Sequence, residues 1–303
     1  MTGGTPLSRD ILEVEILIPD GLGFCFGVKR AYDLATSAVR EGGRIFCWGP
    51  LIHNPQVVSL LEGIGLRVVE EYEKLLPGDR VIIRSHGASP RVLEALKKGG
   101  VEIIDATCPF VKKAQERIAE LARQGYQVLL LGDPGHAEVQ ALLGYAGSHS
   151  VFVIGQMSDL NLLQLEKKVG IVSQTTQQES SLRDLVATVL PRVEELRVFN
   201  TICDFTASRL KSSLEIAGKV EVMLVVGGEK SANTRRLRDA CQRVLPSTYL
   251  IERPDQIRYH WVRGKSRVGV TAGASTPDWI VSEVVKRLRH ILIEGEDEDQ
   301  EGP

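Results

Sequence analysis

No stretch of the chain reaches the ~18 consecutive apolar residues that a membrane helix needs, and the longest runs, such as Val128-Leu-Leu-Leu131, are strand-sized. The first ten residues, Met1-Thr-Gly-Gly-Thr-Pro-Leu-Ser-Arg-Asp10, lack the basic-then-apolar layout of a secretory signal, so a cytoplasmic address is expected. There is no Cys-x-x-Cys, which removes zinc ribbons, thioredoxin-type redox motifs and ferredoxin-type cluster runs. Gly-x-x-x-x-Gly-Lys-Ser/Thr is also missing, which argues against nucleoside triphosphate hydrolysis, and no Gly-x-Gly-x-x-Gly is placed to bind a dinucleotide. Neither sign of charge dominates: 37 Lys+Arg face 39 Asp+Glu. Six of the acids (Glu294, Glu296, Asp297, Glu298, Asp299 and Glu301) crowd into residues 294–303, which read as an acidic disordered tail. The body is left with 37 basic against 33 acidic residues, a balance that suits a small anionic ligand and falls short of a nucleic-acid footprint. The five cysteines are odd in number and widely spaced, so no disulfide framework is expected.

What the chain does have is alternation. Short apolar runs at 14–18, 44–48, 66–69, 80–83, 101–104, 127–131, 151–154, 169–172, 197–199, 221–226, 248–251 and 267–270 read as strands. Between many of them run helical patterns: Val28, Ala31, Ala35, Ala38 and Val39 share one face, as do Val111, Ala114, Ile118 and Leu121. Alternation of this kind predicts an α/β protein with parallel sheets covered on both faces. A weak repeat divides it. Cys25, Cys108 and Cys203 each stand just before an amphipathic helix, 83 residues apart from 25 to 108 and 95 from 108 to 203. Such a period suits three sub-domains of about four strands each.

Ligands of open parallel sheets bind beyond the carboxyl ends of the strands, and the polar residues collect there. His53 and Asn54 follow one run, His86 another, and His136 with Glu138 a third. Thr175 and Thr176, then Ser231 and Asn233, then Ser275 follow three more. Imidazole, hydroxyl and amide donors in glycine-rich turns point to a phosphate or diphosphate held without Mg²⁺. Three thiols at helix starts feel the positive end of the helix dipole, which favours thiolate. They suit a metal or cluster with one open coordination position, either a [4Fe–4S] cluster with three protein ligands or a Cys₃ zinc site. Cys47, inside a strand run, and Cys241, inside a helical run, read as core thiols, and His149, His260 and His290 as structural. Glu138 could cap a helix or deliver protons beside a metal-bound hydroxyl, and Thr175 and Thr176 could hydrogen-bond that hydroxyl or cap a strand end.

Six stretches, in order, carry a resemblance. They are Gly23-Phe-Cys-Phe-Gly-Val-Lys-Arg-Ala31, Gly49-Pro-Leu-Ile-His-Asn-Pro-Gln-Val57, Asp105-Ala-Thr-Cys-Pro-Phe-Val-Lys-Lys113, Ser173-Gln-Thr-Thr176, Asn200-Thr-Ile-Cys203 and Gly269-Val-Thr-Ala-Gly-Ala-Ser275. Together they make the sequence similar to the 4-hydroxy-3-methylbut-2-enyl diphosphate reductases of the non-mevalonate isoprenoid pathway, over roughly residues 14 to 290. The resemblance implies three small parallel-sheet α/β lobes in pseudo-threefold arrangement around a central [4Fe–4S] cluster held by Cys25, Cys108 and Cys203. On this chain the lobes are expected at 27–108, 109–200 and 201–293, the last completed by residues 11–26. It further implies that His53, His86, His136, Ser231, Asn233 and Ser275 hold the substrate diphosphate. His136 also counts among the catalytic residues, with Thr175 positioning the substrate hydroxyl and Glu138 feeding protons. The expected partners are the small allylic diphosphate and a reduced ferredoxin or flavodoxin as one-electron donor, with neither nucleic acid nor membrane.

The chain departs from the family pattern in places: Ala232 stands between Ser231 and Asn233 where a second serine is usual, Phe205 where a small residue is usual, and Leu210 where glutamine is usual. Ala137 replaces a common proline. Two further readings therefore stay open: a non-redox dehydratase acting on a related phosphorylated alcohol, and a cluster-bearing regulatory protein.

Overall fold

The computed structural model describes residues 14–149 and 151–294; the rest of the acidic block, 295–303, lies outside the described residues. Twelve strands form, each on one of the twelve apolar runs, with ends shifted by at most two residues. They build three four-stranded sheets in which every pairing is parallel. This is the expected α/β class with three parallel-sheet lobes.

The chain opens on β1 (Glu15–Leu17) and α1 (Phe26–Glu41), then builds one sheet from β2 (Ile45–Trp48), β3 (Arg67–Val69), β4 (Arg80–Ile83) and β5 (Glu102–Asp105), ordered β3-β2-β4-β5. Helices α2 (Pro55–Gly63) and α3 (Pro90–Lys98) cross between its strands. After α4 (Pro109–Arg123), a second sheet takes β6 (Gln127–Leu131), β7 (Val151–Ile154), β8 (Lys168–Ser173) and β9 (Glu195–Phe199), ordered β7-β6-β8-β9, with α5 (Ala137–Leu143) and α6 (Glu179–Val189) as crossovers. Beyond α7 (Asp204–Ala217), β10 (Val222–Val226), β11 (Thr248–Ile251) and β12 (Arg267–Ala272) form the third sheet, which β1 completes in the order β1-β12-β10-β11. Its helices are α8 (Ala232–Val244), the short α9 (Tyr259–Val262) and α10 (Asp278–Glu294). Among the described residues no helix is long and apolar enough to cross a membrane.

By contacts the chain divides into two compact units. Residues 24–209 with 230–233 carry the first two sheets, and residues 14–23, 210–229 and 234–294 carry the third. The sheets are packed on both faces where their inner strands are apolar at consecutive positions, as in β6 and β10, not alternately. In β6, Val128 and Leu130 meet Ala114, Ile118 and Leu121 of α4, while Leu129 and Leu131 meet Leu182 and Leu185 of α6. In β10, Val222, Leu224 and Val226 face α9 and α10, and Met223 and Val225 face Leu237 and Cys241 of α8. Each such aliphatic side chain contributes roughly 1.5–3 kcal/mol by burial.

Three helices start where the loops of interest end, and their sequence explains it. Asn54 and Ser89 cap α2 and α3, accepting from Val57 N at 3.2 Å and Val92 N at 3.4 Å. Pro55, Pro90 and Pro109 occupy the first helical turn, where a missing N–H costs nothing. The strand-to-loop-to-helix junctions are therefore stiff, which suits them to hold side chains in fixed positions.

Candidate active site

In the larger unit, the loops that follow β2 and β4 are tied together. Ser85 donates to the Leu51 carbonyl from both its N–H (3.4 Å) and its hydroxyl (3.1 Å). That tie brings His53 and His86 to a ring separation of 4.7 Å, stacked at 30°. His136, from the loop after β6, stands 5.2 Å from each. One nitrogen of each ring lies within 4.8 Å of the other two. His136 is the N-cap of α5: its Nδ1 accepts from Glu138 N at 3.2 Å, which leaves the proton on Nε2. Burial first, then the neighbouring His53, His136 and Arg84, hold His86 well below the ordinary histidine value, so its ring is neutral at pH 7. Its Nδ1 is buried with no hydrogen-bond partner among the described residues. A buried nitrogen left in that state costs about 1–3 kcal/mol, and a ligand oxygen or hydroxyl would satisfy it.

Glu138 sits in the first turn of α5 and is 1 % exposed. Its two oxygens grip one residue: Oε1 accepts from Thr175 N at 2.7 Å and Oε2 from Thr175 Oγ1 at 2.8 Å. The helix-capping role open to Glu138 in the sequence belongs instead to His136. Thr175, in the loop after β8, also ties the pair to a thiol, since its carbonyl accepts from Cys203 N at 2.9 Å. A parallel tie joins Cys108 N to the Ser85 carbonyl at 2.9 Å, one residue from His86. Two of the three candidate ligands are thus fixed by backbone to the loops that carry the polar site.

Cys25 and Cys108 are the N-caps of α1 and α4, and Cys203 immediately precedes α7. All three thiols are half-buried, whereas Cys47 and Cys241 are buried in separate apolar clusters. The three are near enough to perturb one another: Cys25 feels Cys203, and Cys108 feels both. Gly27 makes the approach possible, because a Cβ there would lie 2.5 Å from Cys108 Sγ. The expectation that helix starts favour thiolate needs correction. Backbone N–H groups of Val28 and Gly27 do pull Cys25 down, and those of Phe110 and Val111 pull Cys108 down, but burial outweighs them. Cys25 is raised and Cys108 is pushed up to about 11. These are thiols that a bound metal centre would have to deprotonate.

Ser231 and Asn233 group with the larger unit; Ser231 is buried, and Asn233 Nδ2 has no partner among the described residues. Ser275, 7 % exposed after β12, belongs to the other unit. Asn54, read in the sequence as an anion donor, has its Oδ1 engaged as the α2 cap. The departures from the family pattern are absorbed locally. Arg209 lies over the Phe205 ring at 4.6 Å, Leu210 packs into the apolar cluster with Met223 and Leu237, and Ala232 is buried at the start of α8. Sequence reasoning passed over Gln174, which is fully buried, accepts from Asp133 N at 2.9 Å and has an Nε2 without a partner among the described residues. It also passed over Gly27, whose signal was its place two residues after the candidate ligand Cys25.

The profile of a family described as LytB protein matches residues 16–289. The 4-hydroxy-3-methylbut-2-enyl diphosphate reductase of Geobacter sp. (strain M21) is 46 % identical over 278 residues, 92 % of this chain and 98 % of the relative. The protein of that name from Aquifex aeolicus (strain VF5) is 43 % identical over 281 residues, 92 % of this chain and 97 % of the relative. Among solved structures, an (E)-4-hydroxy-3-methyl-but-2-enyl diphosphate reductase, described as the terminal enzyme of the non-mevalonate pathway, is 43 % identical, with a TM-score of 0.69 over 92 % of this chain and 100 % of that one. An E-1-hydroxy-2-methyl-but-2-enyl-4-diphosphate reductase from Plasmodium falciparum is 25 % identical, with a TM-score of 0.85 over 90 % of this chain and 87 % of that one.

Proposed function

The chain belongs to the LytB protein family, and from that premise we propose that it reductively removes the hydroxyl of 4-hydroxy-3-methylbut-2-enyl diphosphate, giving isopentenyl and dimethylallyl diphosphate. The observation that carries the reading is one compact unit holding three mutually interacting thiols, three packed imidazoles and the buried Glu138–Thr175 pair. The donor set fits a thiolate-ligated cluster: three half-buried sulfurs at helix starts, with the space beside Cys108 kept open by Gly27. Cys25, Cys108 and Cys203 would hold a [4Fe–4S] cluster, which when bound supplies electrons singly and an open iron with Lewis-acid character.

The chain's own residues do the rest. His53, His86 and His136 receive the diphosphate, with His86 offering a neutral, unsatisfied nitrogen. Ser231, Asn233 and Ser275 are assigned to the same anion on the family resemblance. Clamping the anion fixes the far end of a short substrate, so the hydroxymethyl group is positioned and the reaction becomes effectively unimolecular. Thr175 Oγ1 orients the substrate hydroxyl and stands between it and Glu138, whose Oε2 it already contacts at 2.8 Å. Glu138, whose two oxygens accept from Thr175 as an ionised carboxylate does, takes up a proton and relays it through the Thr175 hydroxyl, so the substrate hydroxyl departs as water, a far better leaving group. Two electrons and two protons are consumed in all: one proton leaves in the water and the other ends on the allylic carbon. A reduced ferredoxin or flavodoxin is the donor class that goes with this chemistry, in a cytoplasmic setting.

Anaerobic, cluster-loaded protein with a reduced viologen should convert the diphosphate to the two isoprenoid diphosphates. Consumption of substrate without any reductant would favour the dehydratase reading, and no consumption under either condition the regulatory one.

A further inference from the structure

We propose that Arg84 is a positioning residue that tunes the three-histidine site for a multiply charged anion. Its guanidinium, half-buried with Nε sealed from solvent and with no ion-pair partner among the described residues, is a standing positive charge on the turn that carries His86. The inference rests on the reading of that site as a diphosphate seat.

Arg84 directly follows β4, and its carbonyl accepts from Gly87 N at 2.9 Å, closing the turn that presents His86. The guanidinium lies on the opposite loop. A Cβ on Gly49 would run into it, 2.9 Å from Cζ and 3.4 Å from Nε, and Gly49 has φ +68° besides, so only glycine serves there. Gly49 begins the loop that ends at His53. One side chain therefore spans the turns that carry two of the three imidazoles, alongside the Ser85–Leu51 tie.

Its electrostatic surroundings are unusual for an arginine. Nε is buried and finds no hydrogen-bond partner among the described residues. Burial pulls the guanidinium below its ordinary value; Cys47 and Glu70 favour the charge, but neither is an effective counterion. The Cys47 thiol is pushed up to about 12 by burial, so it stays neutral, and Glu70 is exposed and makes no ion pair with Arg84. A half-buried charge without a partner costs some folding free energy, and the cost is offset if an anion arrives. The charge already reaches the site, since Arg84 is among the groups that lower His86. A fixed positive field favours each added negative charge on the ligand, so it discriminates diphosphate from phosphate without touching either.

The test uses cluster-loaded protein carrying Arg84→Gln or Arg84→Lys, with inorganic diphosphate and inorganic phosphate as probes. Without anion, Arg84→Gln should melt at or above the wild-type temperature. Its dissociation constant for diphosphate should rise about tenfold, and that for phosphate clearly less. In turnover KM should rise while kcat stays within about twofold, and Arg84→Lys should recover most of the diphosphate affinity. A variant that melts lower or fails to fold, or one that loses affinity equally for both anions, would make Arg84 a structural brace and overturn the proposal. Wild-type protein that binds no diphosphate would sink the histidine-site reading itself. Wild-type binding with an unaffected Arg84→Gln sinks only the role given to Arg84.

Discussion

Replacing Glu138 by glutamine removes a proton donor while leaving almost everything else in place. The carboxylate is 1 % exposed and makes two contacts with one residue, 2.7 Å from Oε1 to Thr175 N and 2.8 Å from Oε2 to Thr175 Oγ1. Glutamine keeps an oxygen for the Thr175 N–H. Its amide nitrogen can donate to the threonine hydroxyl, which only has to turn round and accept. The structural cost is that of weakening charge-assisted hydrogen bonds to neutral ones, about 1–2 kcal/mol, which a folded chain of this size tolerates. The chemical cost is far larger, because an amide cannot deliver a proton, and a positioned general acid contributes about 10²–10⁴ in rate. Calorimetry with inorganic diphosphate should give nearly wild-type affinity for Glu138→Gln, whereas viologen-driven turnover should fall by about 10²–10⁴. Thr175→Val, which leaves Oε2 without its hydroxyl donor, should lower turnover in the same direction and cost about 1–3 kcal/mol of stability. Undiminished turnover in Glu138→Gln, with cluster content intact, would refute the proton path.

Other residues give sharper contrasts. Cys108→Ser should abolish the brown iron–sulfur absorbance while Cys241→Ser, in the apolar cluster beside Met223, leaves it unchanged; equal loss from both would contradict the ligand set. Gly27→Ala places a methyl 2.5 Å from Cys108 Sγ, so iron content should drop while circular dichroism stays native; full iron loading would show that the space is not needed. His86 is held neutral in the folded chain, below the unfolded value of about 6.5. Its contribution to stability is therefore complete above that value and is lost as pH falls below it, at up to about 1.4 kcal/mol per pH unit. The pH dependence of urea midpoints between 7 and 5 should flatten in His86→Asn, and an unchanged slope would locate the acid sensitivity elsewhere.

Much of this arrangement was legible in the residues, for identifiable reasons. Buried parallel strands are apolar at every position, so runs such as Val222–Val226 stand out from amphipathic neighbours. Pro55, Pro90 and Pro109 mark helix starts that a periodicity count alone leaves vague. The family resemblance named the three thiols and three histidines, and the structure brings those six together in one unit. What stayed hidden depends on distance through space. The Glu138–Thr175 contact joins residues 37 apart along the chain, and nothing local in either stretch announces it. The guanidinium of Arg84 on the backbone of Gly49 is equally non-local. The thiol ionisation was misjudged because helix-start amides are visible in a sequence pattern, whereas the burial that outweighs them is not. Asn54 shows the same limit: its Oδ1 caps α2 by accepting from Val57 N, and nothing in the sequence pattern alone decides that.

In the proposed site three cysteine sulfurs share one cube of iron and sulfide, with a corner left for the substrate. Mössbauer spectra with iron and sulfide analysis, on anaerobically purified protein, test it directly. The expected result is about four irons and four sulfides per chain, with one iron whose signal is distinct and shifts when the diphosphate substrate is added. Iron in a two-iron or mononuclear form, or four irons indifferent to substrate, would contradict it.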